Sequence, residues 1–145
     1  MAGSRGGATF ARRVFTGAGI YGVLLLAPMY FLERRIGELA PPAITHVENF
    51  YGFLAVTLAW QVAFLVIGRD PLRFRPLMPV AMLEKAGYVV TIALLLALDR
   101  IDPSAALGAA GDLVLLVLFV AAYRKTAGDV TRAEAPGAAP SAAAR

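Results

Sequence analysis

Four long blocks with almost no charge dominate this chain, and a block of that kind has few ways to fold. Residues 14–32 and 50–68 contain no Asp, Glu, Lys or Arg, and each is about 19 residues long. At 1.5 Å per residue such a block is about 28 Å long, the thickness of a bilayer's hydrocarbon core. Residues 77–98 carry only Glu84 and Lys85, and residues 104–123 only Asp112. A soluble core would spread its apolar residues through amphipathic segments with a polar side every turn. The sequence therefore predicts an all-α fold: a bundle of four transmembrane helices.

Local signals place the ends of the spans. Pro41 and Pro42 precede the second, and Thr45 with Glu48 fits a capping box, so this helix is expected to begin near His46. Pro79 suits the first turn of the third span, and Asp102-Pro103 reads as the N-cap and first turn of the fourth. The third span cannot start after Lys85, because residues 86–98 are too few to cross. The expected spans are 14–32, 46–68, 77–98 and 103–123, within a membrane domain at 14–125. Residues 1–13 read as an N-terminal tail. Residues 126–145, rich in Ala, Pro, Gly and Ser without periodicity, read as a disordered tail.

Arg12-Arg13-Val14-Phe15 resembles a twin-arginine export signal. The block behind it exceeds a typical signal core, lacks an A-x-A cleavage site and is followed by further spans, so it reads as a span.

Basic residues orient the bundle. Arg5, Arg12, Arg13, Arg69, Arg73, Arg75, Arg124, Lys125, Arg132 and Arg145 fall on one side, and Arg34, Arg35 and Arg100 on the other. The bias recurs at every loop, as expected for a multi-pass protein of the inner (plasma) membrane with both termini cytoplasmic. The basic balance thus reports topology, and nucleic acid is not an expected partner. Cysteine is absent and His46 is the one histidine, which excludes disulfides, thiolate catalysis and bis-His haem within one chain. His46 and Glu48 are too few for a metal site, and no cofactor is expected.

The buried charges are the most informative residues. An Asp or Lys near the bilayer centre costs about 2.5 to 3.5 kcal/mol on insertion scales, so something must compensate for it. Counting depth from the span ends puts Glu84 roughly 8 to 10 Å from the inner boundary, level with Tyr21 and Gln61. Tyr88 follows Glu84 by one helical turn and Thr91 extends the stripe outward. The same count puts Asp112 roughly 12 Å from the outer boundary, near Thr57 and Thr91. Two polar layers result, the inner able to share hydrogen bonds among Tyr21, Gln61 and Glu84. The structural alternative is that Glu84 and Lys85 snorkel or pair with Arg73 or Arg75.

Small residues mark expected packing faces: Ala18 and Gly22 in the first span, Gly52, Ala55, Ala59 and Ala63 in the second, Ala105 and Gly108 beside Asp112 in the fourth. Arg69, Arg73 and Arg75 form a short basic loop, read as topology-setting charge with anionic lipid headgroups as possible contacts. Trp60 reads as a packing residue that can also line a lipid or quinone pocket.

The runs Phe50-Tyr51-Gly52, Ala59-Trp60-Gln61, Gly68-Arg69-Asp70-Pro71 and Arg73-Phe74-Arg75-Pro76-Leu77-Met78, followed by Glu84-Lys85, resemble an uncharacterised family of small four-helix bacterial integral membrane proteins. In these, similarly, an acidic residue in the fourth span precedes a stretch ending as Ala122-Tyr123-Arg124 does here. The resemblance covers most of residues 14–125 and implies a four-helix bundle in the bacterial inner membrane; it carries no activity. A looser likeness to DoxX-type proteins rests on size and span count alone.

Three functions fit these residues. The first is a noncatalytic bundle that binds a lipid, a quinone or a partner membrane protein. The second is a proton-linked small-molecule transporter that uses Asp112 and Glu84 and works as a homo-oligomer, since four helices enclose little volume. The third is a membrane-embedded lipid-modifying enzyme with a carboxylate as general acid or base. No motif beyond the carboxylates supports the third, so the chain reads as a non-enzyme.

Overall fold

The computed structural model describes residues 6–39 and 44–134, which form helices and connections without a strand. Helix α1 spans Gly6–Leu26 and tightens into a 3-10 segment at Ala27–Phe31; a short α2 covers Glu33–Leu39. Helix α3 spans Val47–Arg69, α4 spans Met78–Ala97 behind a 3-10 turn at Arg75–Leu77, and α5 spans Ala105–Glu134. Four stretches are long and apolar enough to cross a membrane: Gly6–Phe31, Val47–Arg69, Arg75–Ala97 and Ala105–Thr131. The chain is a multi-pass membrane protein built as an all-α four-helix bundle.

The ends of these elements follow from single residues. Pro28 has no N–H to give to the carbonyl one turn back, and the helix tightens to 3-10 there. Asp99 closes α4 with a left-handed backbone, φ 51°. Its N–H bonds to the Leu96 carbonyl at 3.1 Å and that of Arg100 to Leu95 at 2.9 Å, the two bonds of a Schellman motif.

Several boundaries differ from those expected. The capping box does not form: His46 is the N-cap of α3 without a side-chain bond, and Glu48 instead contacts His46 Nδ1 at 3.3 Å on the surface. Asp102 does not cap α5 directly. Its carboxylate accepts the Ser104 N–H at 2.8 Å, and the helix begins at Ala105. Pro41 and Pro42 lie outside the described residues.

The largest difference is at the tails. Residues 6–13, read as an N-terminal tail, open α1, and residues 126–134, where disorder was expected, continue α5. Each supports the other. Asp129 accepts the N–H of Ala8 at 2.8 Å, filling one of the free donors at the α1 N-terminus. The Lys125 ammonium lies 4.2 Å from the Phe10 ring centroid, and Thr126 is buried. Gly7 permits this approach, because a Cβ there would collide with the Lys125 carbonyl. An Ala/Gly-rich segment without a periodic pattern folds here because a neighbouring helix supplies its contacts.

Helix α1 is central, packed on α3 at one flank and α5 at the other, and α4 leans on α5; α3 and α4 scarcely meet. The tightly packed part of the bundle lies near the Arg-rich end. There Phe15 stacks on Phe119 at 4.2 Å between centroids, and Phe64 sets its edge against Phe119 at 5.0 Å, all three fully buried. Ala11, Ala18, Ile67, Met78, Ala81 and Ala122 complete the cluster. In lipid this packing is driven by close van der Waals fit rather than water exclusion, which is why small residues alternate with phenylalanines. Leu24, Leu83 and Leu107, in contrast, are 71, 71 and 83 % exposed, as lipid-facing residues should be.

Candidate functional site: a cavity floored by a buried lysine

α3 and α4 scarcely meet, and away from the Arg-rich end the bundle forms a half-open cavity of about 400 Å³. Leu25, Leu26 and Met29 from the end of α1, Phe53, Val56 and Trp60 from α3, and Leu115 from α5 supply its apolar wall. Tyr21, Thr57, Gln61, Glu84, Lys85, Tyr88 and Asp112 supply its polar residues.

Lys85 forms the floor. Its side chain is 5 % exposed, and Nζ donates to both carboxylate oxygens of Asp112 at 3.2 Å and to Glu84 Oε1 at 3.4 Å. The same ammonium stands 5.4 Å above the Phe64 ring centroid, on top of the aromatic cluster. Neither carboxylate is sealed off to the same degree: 17 % of the Glu84 side chain and 22 % of Asp112 remain exposed. Glu84 Oε2 sits 3.3 Å from Nζ, within ion-pair range, yet it is buried and accepts no hydrogen bond.

The two polar layers inferred from residue counting are thus one cluster. Lys85 faces inward between α4 and α5, and its ammonium reaches both Asp112 and Glu84. Neither Arg73 nor Arg75 pairs with Glu84. Arg75 turns to α5 instead, with Nε donating to Thr126 Oγ1 at 3.2 Å, Nη2 to the Tyr123 carbonyl at 3.3 Å, and its guanidinium 4.0 Å from the Tyr123 ring centroid. Arg75 is therefore a tether between the loop and α5, and only Arg69 and Arg73 of that basic trio are exposed.

Gln61 is 2 % exposed and fits a notch left by Gly22, where any Cβ would overlap its side-chain amide. Its Nε2 donates to the Thr57 carbonyl at 3.0 Å, and the Thr57 hydroxyl donates to the Phe53 carbonyl at 2.7 Å. Both side chains thus bond within their own helix, and the expected hydrogen bonds among Tyr21, Gln61 and Glu84 do not form, although all three line one cavity. Tyr88 lines it as well, close to Gly108 of α5. Thr91 does not: it is exposed on the outside of α4. Trp60 joins the wall and packs near Phe64, 6.2 Å between centroids.

Of the small-residue faces, Ala18 and Gly22 are buried, whereas Gly52, Ala55 and Ala59 are exposed. The apolar lining, Phe53, Val56, Leu25 and Met29, was not singled out from sequence. On a membrane helix a cavity-facing leucine and a lipid-facing leucine carry the same pattern.

Among the described residues no group of three or more His, Asp or Glu side chains is placed to hold a metal ion. The His46–Glu48 contact is a surface pair with both side chains about three-quarters exposed.

Compared with known proteins, the chain matches no family model, no curated protein and no solved structure.

Proposed function

We propose that this protein is a noncatalytic, ligand-binding membrane bundle whose cavity takes an amphiphilic molecule from the bilayer, such as a lipid-derived chain or a quinone, with its polar end at the Lys85–Asp112–Glu84 cluster. One observation carries this reading: a largely apolar cavity of about 400 Å³ narrows onto a buried lysine shared by two carboxylates. That volume falls within the roughly 300 to 1,000 Å³ of small-molecule sites, and an apolar wall with a few convergent polar groups is their usual chemistry. The scarce contact between α3 and α4 supplies a side entrance from lipid. The test is purification in mild detergent followed by native mass spectrometry. A bound lipid or quinone that is lost when Gly108→Leu fills the cavity is the expected result, and a ligand-free wild-type protein would overturn the proposal.

Proton-linked transport by Asp112 and Glu84 is the second reading, and the placement of both carboxylates on one lysine favours it. Counting against it, the Phe15–Phe64–Phe119 cluster closes the bundle beneath the cavity, so passage requires that cluster to open or a second chain to contribute. Loss of proton flux in Asp112→Asn proteoliposomes would support transport.

The setting that we propose is a bacterial inner membrane with both termini cytoplasmic. Arg12, Arg13, Arg69, Arg73, Arg75, Arg124 and Lys125 gather at one end of the bundle and Arg34, Arg35 and Arg100 at the other, which supports that orientation by the positive-inside rule.

A further inference from the structure

Resting on the cavity reading above, we infer that the cavity's preferred occupant carries one positive charge: an apolar molecule with an alkylammonium head. Lys85 contributes one cation to the floor and Glu84 with Asp112 two anions, so the ionised cluster keeps one negative charge in surplus. The surplus faces the cavity. Lys85 is 5 % exposed and turned into its ion pairs and the Phe64 ring, while the carboxylates keep 17 and 22 % of their side-chain surface. A cationic N–H donor in the cavity would bond to the exposed surface of these carboxylates and balance the charge, and in a low-dielectric site both effects are strong.

The other candidate heads fit less well. An anionic head, such as a carboxylate or phosphate, needs a free cation, and Lys85 is the one Lys or Arg among the lining residues and is already shared between two carboxylates. The Thr57 hydroxyl is spent on a backbone carbonyl of α3 and the Gln61 amide gives one of its N–H groups to another, and the neutral donors left to that head do not balance its charge. A metal ion lacks ligands, because the place between the two carboxylates is occupied by the Lys85 ammonium. An alkylammonium, in contrast, presents N–H donors to carboxylates and places its chain along Leu25, Leu26, Val56 and Leu115.

Trp60 lines the cavity and is the chain's one tryptophan, so its emission reports occupancy directly. The experiment titrates the full-length protein, in phosphatidylcholine nanodiscs at neutral pH, with decylamine, decanol and decanoate. The expected result is a saturable change in Trp60 emission with decylamine at an affinity about tenfold or more above decanol, the scale of one charge-assisted hydrogen bond, with decanoate weakest. Glu84→Gln should remove that preference. If the wild-type protein binds decylamine and decanol equally, or prefers decanoate, the inference of a cationic occupant is overturned while the cavity reading stands. If none of the three saturates, the cavity reading falls and this inference with it. The wild-type comparison decides the matter even if the variant does not fold.

Discussion

The Lys85 ammonium lies 3.2 Å from both carboxylate oxygens of Asp112, across a contact between α4 and α5 in the middle of the bundle. Their pairing gives an otherwise costly lysine a place inside the membrane, and it ties α4 to α5. Removing one member of such a pair strands the other, with a loss of about 3 to 5 kcal/mol. Lys85→Met should be worse than Asp112→Asn, because it leaves two carboxylates facing each other without a cation. The double variant Lys85→Met/Asp112→Asn should recover part of the loss, since Glu84 alone then lacks its cation. Thermal unfolding of the four proteins in one detergent measures this cycle; additive losses in the double variant would argue against the pair.

Gly22 and Gln61 form a lock of shape rather than charge. Adding a methyl at position 22 forces the Gln61 side chain out of its notch, an overpacking change that typically costs about 1 to 3 kcal/mol. Gly22→Ala should therefore lower the melting temperature, and Gln61→Ala in the same chain should restore part of it. Two losses that add would show that the notch is not what positions Gln61.

At the end of α4, Asp99 occupies a left-handed backbone that glycine adopts without strain. Asp99→Gly should stabilise the protein by up to about 1 kcal/mol and leave ligand binding unchanged. A lower melting temperature would mean that the aspartate side chain makes a compensating contact.

The turn before α5 should respond to acid. The Ser104 hydroxyl and N–H both donate to Asp102, holding its carboxyl below the usual range. A carboxyl whose pKa is lowered by folding contributes stability above its unfolded value, and this contribution fades as the pH falls through the folded value. Amide exchange at residues 104–107 should therefore quicken, relative to the rest of α5, on going from neutral pH into the acid range below the ordinary aspartate pKa. In Asp102→Asn, which keeps the acceptor and cannot titrate, that difference should vanish.

Orientation can be read chemically, because the chain contains no cysteine. With both termini inside, Ser104→Cys in whole cells should react with an impermeant maleimide, and Thr131→Cys should react only after the membrane is opened. The reverse pattern would invert the topology.

The four spans and the clustering of arginines at one end were legible from the sequence, because both depend on local sums. Twenty apolar residues satisfy a bilayer whatever their neighbours are, and a count of arginines needs no coordinates. That Glu84 and Lys85 lie within the third span followed from length alone, as did the intramembrane position of Asp112. How these charges meet did not. Counting assigns depth along the membrane normal but no direction around a helix and no reach to a side chain, so it separated Asp112 from Glu84 where Lys85 in fact joins them. The same blindness to direction placed Thr91 in the polar stripe and the Gly52, Ala55, Ala59 face inside the bundle. The extra turns of α1 and α5 were hidden for a related reason: their stability comes from Asp129 and Lys125 meeting residues more than a hundred positions away and from Thr126 meeting Arg75. The sequence alone therefore determined that the chain crosses a membrane four times and which charges it must carry inside. Only the tertiary structure decided that those charges share one lysine at the floor of a cavity, since that depends on helix rotation and on the gap between α3 and α4.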